Sequence, residues 1–197
     1  GLARARFSQD AISEFRVIAN RFDSEIGGSA GGALSVVTKT GTNELRGSAF
    51  GFFRDDALRA KGEFDLQKND YSRQQFGGTI GGPIVKDRTH FFASLEQINE
   101  DTVTLFRPGG AYASLAADIP IPLNSTLLYG GIDTRLNDVQ NLRMRFVYER
   151  QRQENFRVGG VADQSSGFRM ERDNWNLTAT QRWNDGCNFP RPPGSFR

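Results

Sequence analysis

Six stretches of this chain alternate apolar with polar or small residues at a period of two. They cover 45–54, 74–84, 90–100, 126–136, 142–152 and 173–183. In 74–84, Phe76, Gly78, Ile80, Gly82 and Ile84 alternate with Gly77, Thr79 and Gly81. In 90–100, Phe91, Ala93 and Leu95 alternate with Ser94 and Glu96. In 126–136, Leu128, Gly130 and Ile132 alternate with Tyr129, Asp133 and Arg135. In 142–152, Leu142, Met144, Phe146 and Tyr148 alternate with Arg143, Arg145 and Glu149. In 173–183, Trp175, Leu177 and Ala179 alternate with Asn174, Asn176, Thr178, Thr180 and Arg182. Successive side chains of a strand point to opposite faces, so each stretch predicts a β-strand with two chemically different faces.

The connections narrow the choice of sheet. Strands two and three are joined by a short turn at Lys86-Asp87-Arg88, and strands four and five by another over Asn137–Asn141. The other links, 55–73, 101–125 and 153–172, are long and polar. Soluble antiparallel sandwiches also alternate. Their strands average about five or six residues, however, and their connections about four to six. Long strands joined alternately by tight turns and long loops are the pattern of an outer-membrane barrel. A ten-residue strand rises roughly 33 Å and, tilted by about 40°, covers roughly 25 Å of membrane normal. Six strands cannot close around a lumen, so the barrel reading requires further strands downstream.

Composition excludes other classes. No run approaches the ~20 apolar residues of a spanning helix. Twenty-five basic against 23 acidic residues leave a net charge of +2, which gives no global basic field for nucleic acid. The lone Cys187 and lone His90 exclude an intrachain disulfide framework and a Cys- or His-rich metal centre. The start, Gly1-Leu2-Ala3-Arg4-Ala5-Arg6, lacks Met and any following apolar h-region, so the chain reads as an internal piece of something larger. Residues 184–197 lose all periodicity and read as an irregular tail: a loop, an artificial end or out-of-frame sequence.

Ahead of the strands, Ser8 is placed to cap a short helix over 8–15, with Ala11, Ile12 and Phe15 on one face. Phe15–Ile18 then extends as a strand. Gly27–Gly32 is a close-approach segment, Leu34–Thr38 a β-branched buried strand, and Thr40–Asn43 a turn.

Gly31-Gly32-Ala33-Leu34-Ser35-Val36-Val37-Thr38-Lys39-Thr40-Gly41-Thr42-Asn43-Glu44 resembles the end of the plug domain of the TonB-dependent outer-membrane receptors. Leu45–Leu58 is similar to the first barrel strand of their Oar-like subgroup, and Arg73–Glu96 to its second strand, turn and third strand. The likeness is strong over 10–100 and looser over 126–183. The chain departs from the subgroup at Glu25-Ile26-Gly27-Gly28, where members carry Glu-Tyr-Gly-Arg. The resemblance implies an all-β fragment: an incomplete antiparallel transmembrane β-barrel of about six N-terminal strands, out of about 22, preceded by the C-terminal part of a plug. The division is 1–43 plug, 44–183 barrel strands and 184–197 tail. It further implies a transporter of the Gram-negative outer membrane that does no chemistry on its cargo. Expected partners are outer-membrane lipid, the TonB complex through a preceding segment, and an extracellular ligand such as a carbohydrate, peptide or siderophore. The alternatives are a surface adhesion or secretion protein on the same barrel, and a soluble β-sandwich binding module. No cofactor, metal or catalytic residue is expected.

In such a barrel Phe50, Phe52, Phe76, Ile80, Phe91, Leu95, Leu142, Met144, Phe146, Leu177 and Ala179 are expected to face lipid. Arg143, Arg145, Glu149, Asn174, Asn176, Thr178 and Arg182 are expected to face the lumen. An arginine at mid-depth on the lipid face costs about 2–4 kcal/mol, which sets this parity. Tyr148 and Trp175 read either as an aromatic girdle or as ordinary core aromatics. The Gly77-Gly78 and Gly81-Gly82 pairs are not followed by Gly-Lys-Ser/Thr and do not open a helix, which argues against a phosphate loop. Glycine at this spacing instead lets a plug or neighbouring backbone approach closely, or lets the sheet bend. Asp55, Asp56, Asp65 and Asp70 are candidate Ca²⁺ ligands without EF-hand spacing, and read better as a solvated acidic loop. Glu96, Glu100 and Asp101 lack a nucleophile and read as lumen and loop charges. His90 reads as a turn or interface residue.

Overall fold

The computed structural model describes residues 8–18, 33–56 and 71–183. Two sheets are present. The first is a two-stranded antiparallel pair of β1 (Ile12–Ile18) and β2 (Ala33–Thr38). The second is an antiparallel meander in the order β3 (Arg46–Asp55), β4 (Tyr71–Val85), β5 (Thr89–Phe106), β7 (Leu123–Arg135), β8 (Gln140–Phe156) and β9 (Phe168–Trp183), with the short β6 (Ala117–Pro120) paired to the end of β5. Every barrel strand expected from the alternation is present. Neither edge of the meander, β3 or β9, pairs with the other, so the sheet is an open arc. No second sheet packs face to face on it among the described residues, so the architecture is not a sandwich.

The helix expected over 8–15 is absent. Gln9–Ala11 makes one 3₁₀ turn and the chain is extended from Ile12. Ser8 forms no capping bond through its side chain. Ile12, Phe15, Val17 and Ile18 are β-branched or aromatic, and β2 offers them a ladder from Ile12–Thr38 to Ile18–Ala33, interrupted only by a register shift between Ile12 and Glu14, so pairing wins over a weak local helix. The expected strand over 34–38 is β2.

The strands outrun their expected limits. β4, β5, β8 and β9 have 15, 18, 17 and 16 residues. A 16-residue strand tilted by about 40° covers roughly 40 Å, well beyond an apolar band of about 25 Å. The extra residues lie at the long-loop end. There β6 extends the sheet, Arg107 pairs with Asp118 at 2.6 Å, and Phe106 bridges to Gly160. The expected loops at 101–125 and 153–172 are therefore ordered in large part. At the opposite end both connections are tight: Arg88 N–H donates to the Val85 carbonyl, and Asp87 takes a positive φ of 59°.

Directly opposed residues in antiparallel strands share a face, so the register sorts the sheet into rungs. One rung is Ile80–Ala93–Gly130–Phe146–Leu177, and the next on that face toward the loops is Gly78–Leu95–Leu128–Tyr148–Trp175. On this face the large apolar side chains are solvent-exposed. The opposite face buries Ser94, Glu96, Ser125, Glu149 and Gln151 beside Phe92, Leu127, Tyr129 and Val147. A water-soluble protein does not leave a whole face of large apolar side chains exposed while burying carboxylates such as Glu96 and Glu149. Polar groups inside and apolar groups outside are what two different solvents, lumen and lipid, require.

Candidate functional site

The concave face of the sheet is the candidate site, because the β1–β2 hairpin docks there. Ala11, Phe92, Tyr129 and Val147 form the buried cluster at that junction. Phe92 and Tyr129 rings lie 6.0 Å apart, and Tyr129 is only 2% exposed. Its hydroxyl lies 2.7 Å from Thr38 Oγ1 at the end of β2, so the one polar atom of a buried ring is satisfied by the hairpin.

Asp10 ties the start of the hairpin to its end and to the barrel wall. Its carboxylate accepts from Ser48 Oγ and lies 3.5 Å from Lys39 Nζ, while Lys39 N–H donates to the Ala11 carbonyl at 2.8 Å. The Ser48 hydrogen bond holds the Asp10 carboxyl below its usual pKa; Lys39 adds to this, and partial burial opposes it.

The linker between hairpin and β3 is fixed by a glycine and an amide. A Cβ on Gly41 would lie 2.1 Å from the Phe91 carbonyl oxygen and 2.9 Å from that of Gly82. Only glycine lets the linker lie this flat on the wall. Two residues on, Asn43 Oδ1 accepts from Asp87 N–H at 2.8 Å and lies 2.7 Å from His90 Nε2. An amide oxygen only accepts, so His90 donates from Nε2. His90 is thus the interface residue expected, and Asn43 braces the turn that carries the positive φ.

Most of the expected inward residues are where the parity places them. Arg143 and Arg145 both reach Asp133 at 2.8 Å. Gln75 donates to Glu96 at 2.8 Å and Asn174 to Glu149 at 3.4 Å. Asn176, Thr178 and Arg182 occupy the same parity of β9. Of the expected lipid-facing residues, Phe76, Ile80, Phe91, Leu95, Leu142, Met144, Phe146, Leu177 and Ala179 share the outward face.

Phe50 and Phe52 do not. Phe50 opposes Gly77 and, through it, Glu96; Phe52 opposes Gln75. Both therefore lie on the inward face, their rings 5.7 Å apart. Phe50 lies over Gly77, where an added Cβ would come within 2.8 Å of its ring. On β3 the outward parity holds Gly47, Ala49, Gly51 and Phe53. Hydrophobicity alone chose the wrong face: the two rings stand among polar neighbours, with Ser48 and Arg54 on the same parity and Gln75 and Glu96 across from them.

Tyr148 and Trp175 resolve as the girdle. Both stand outward on the last apolar rung, with Trp175 72% exposed. The next rung on that face is Phe76–Gln97–Thr126–Arg150–Asp173, polar apart from Phe76. An aromatic with an amphipathic ring at the apolar–polar boundary is the girdle position of a transmembrane barrel.

Glu96, Glu100 and Asp101 do not converge on one site. Glu96 and Glu100 are four residues apart along the inward face, and Asp101 lies on the other face. Asp65 and Asp70 lie outside the described residues. Among the described residues no group of three or more His, Cys, Asp or Glu could hold a metal. The glycine pairs serve backbone approach: Gly81 and Gly82 lie against Gly41 and Leu45 of the linker.

These features are those of an open β-barrel wall, and residues 37–108 match the family model described as outer membrane beta barrel domain. The chain is 32% identical over 101 residues to the TonB-dependent transporter Oar of Myxococcus xanthus, covering 47% of this chain and 10% of that protein. It spans about a tenth of the length of that curated relative. No solved structure matches. The chain is thus a TonB-dependent-receptor-like segment of an outer-membrane barrel, and its place is the cell outer membrane. The signals missed in the sequence were Tyr129, which reads as a strand residue until Thr38 is opposite it, and Asn43, which reads only as a turn former.

Proposed function

We propose that the intact protein is a TonB-dependent transporter that binds an extracellular ligand and imports it. The division is plug over 1–43, barrel strands over 44–183 and tail over 184–197. The observation that carries this reading is the β1–β2 hairpin seated inside the arc, held by Thr38–Tyr129 and by Asn43 on the Asp87–His90 turn. An empty porin has no use for a folded obstruction fixed to its inner wall; a gated importer does. The likeness to a TonB-dependent transporter supports the same reading. TonB would act through a segment preceding this chain. The polar inward face suits a hydrophilic cargo, such as a carbohydrate, a peptide or a siderophore.

The test is uptake by the native bacterium. Labelled oligosaccharides, peptides and ferric siderophores are supplied to wild type, to a strain lacking this gene, and to one depleted of TonB. Loss of uptake of one probe in both altered strains is expected. Uptake that depends on the gene but is indifferent to TonB would refute the energised mechanism.

A further inference from the structure

The outward face has one interruption. At the middle of the apolar band the rung runs Ala93–Gly130–Phe146, two small residues beside a large one. A Cβ on Gly130 would meet nothing within 4 Å. The result is a notch of about 310 Å³ on the apolar face, lined by Ala93, Gly130, Ile132, Met144, Phe146 and Leu177. Glycine weakens a strand and leaves its ladder uncovered. At the other described glycines of this sheet an added Cβ would meet ring, backbone or side-chain atoms, at Gly131 those of Arg145 and Tyr129, whereas at Gly130 it would meet none.

Toward the loop end the notch is followed by the Tyr148–Trp175 rung and then by cross-strand ion pairs. Arg150 lies 3.5 Å from Asp173, and Arg152 3.4 Å from Glu171. Tyr148 donates to Asp173 at 3.0 Å. Both arginine contacts are longer than a direct hydrogen bond. A guanidinium carries five donors; Arg150 Nε is buried, so the donors left for a further anion are the terminal Nη groups of the two arginines, whose side chains are close to half exposed.

We infer that this face holds one phosphate-bearing membrane lipid, with an acyl chain in the Ala93–Gly130 notch and its phosphate at Arg150 and Arg152. The occupant is a lipid rather than a protein because the face already lies in the bilayer of the outer membrane. The notch is continuous with that interface, its lining is apolar, and the arginines complement a phosphate. Gly130 to Arg150 spans two rungs, roughly 14 Å along the strand, which an acyl chain can bridge. The inference rests on the outer-membrane location and not on the transport reading, so failure of the uptake test leaves it standing.

The test uses the full-length protein, extracted from outer membranes in mild detergent and examined by native mass spectrometry. Wild type is expected to retain one lipid. Gly130→Leu fills the notch, and Arg150→Gln with Arg152→Gln removes the phosphate donors; each is expected to lower the lipid-bound fraction at least tenfold. In vesicles of phosphatidylglycerol bearing a diazirine in its acyl chain, crosslinks should concentrate on peptides containing Ile132 and Met144. A wild-type protein without retained lipid, equal retention by the variants, a dimer mass in place of the lipid, or crosslinks spread evenly over all outward residues would each overturn the inference.

Discussion

Replacing Leu177 by arginine tests the two-solvent reading of the sheet. Leu177 stands in the middle outward rung, opposite Phe146, and its side chain is exposed on the face assigned to lipid. An arginine at the bilayer midplane of a barrel costs about 2–4 kcal/mol. At about 1.4 kcal/mol per tenfold, that is about 30- to 700-fold in the folding equilibrium. Asn176, one residue away, opposes Val147 on the inward face. Asn176→Arg loses only the exposed hydrogen bond from Thr178, 2.8 Å in length, so its cost is below about 1 kcal/mol. The assay is guanidinium-dependent folding of the full-length protein into phosphatidylcholine vesicles, read by tryptophan fluorescence and by the heat-shifted band on a gel. The reasoning is refuted if Asn176→Arg costs as much as Leu177→Arg, or if Leu177→Arg stays within about 0.5 kcal/mol of wild type.

Gly41→Ala forces its methyl against the Phe91 carbonyl, and the linker is expected to lift from the wall; faster hydrogen exchange at residues 38–43 would report it. Asn43→Ala removes the acceptor for Asp87 N–H and His90 Nε2; these sites are exposed, so the loss is about 1 kcal/mol, read as a lowered guanidinium midpoint. Asp10 has a folded pKa below its ordinary 3.8, so its contribution to docking is present above that value and is lost as pH falls below it. Cysteine accessibility at the hairpin should therefore rise only in that acidic range, and Ser48→Ala should move the onset toward higher pH; an onset near neutrality would contradict the assignment. Ala49→Cys and Phe50→Cys, in a protein lacking its other cysteines, should label in opposite senses: Ala49→Cys with a lipid-soluble maleimide, Phe50→Cys only with a water-soluble one.

How much of this was legible depended on how local each cause was. Alternation is a property of neighbouring residues, so the six barrel strands and their tight turns could be read directly. The parity of β8 and β9 followed from Arg143, Arg145 and Asn176, since a cation or an amide in hydrocarbon is expensive. Strand β3 carried its markers toward its ends, where Arg46, Ser48 and Arg54 share the parity of Phe50 and Phe52; the two rings outweighed them, and the partners Gly77 and Gln75 reveal the face. The 8–15 helix failed for the same reason, because the β2 partners that draw Ile12–Ile18 into a strand lie 15 to 26 residues away in sequence, from Ile18–Ala33 to Ile12–Thr38. The loop ends were read as irregular because β6 and the Phe106–Gly160 bridge join segments that show no period of their own. The site was the least legible part. Tyr129, Thr38 and Asn43 are ordinary residues until the hairpin is placed against the wall.

The most direct measurement is a spin-label scan along β8, residues 142 to 152, in the full-length protein within native outer-membrane vesicles. Collision rates with oxygen and with a water-soluble nickel complex report lipid and water contact. Labels at 142, 144, 146 and 148 should be rich in oxygen contact and those at 143, 145, 147 and 149 poor in it, with the outward labels at 150 and 152 turning to nickel contact above the Trp175 rung. A scan without a period of two, or with odd positions in lipid, would contradict a transmembrane barrel wall whose inner face carries the docked hairpin.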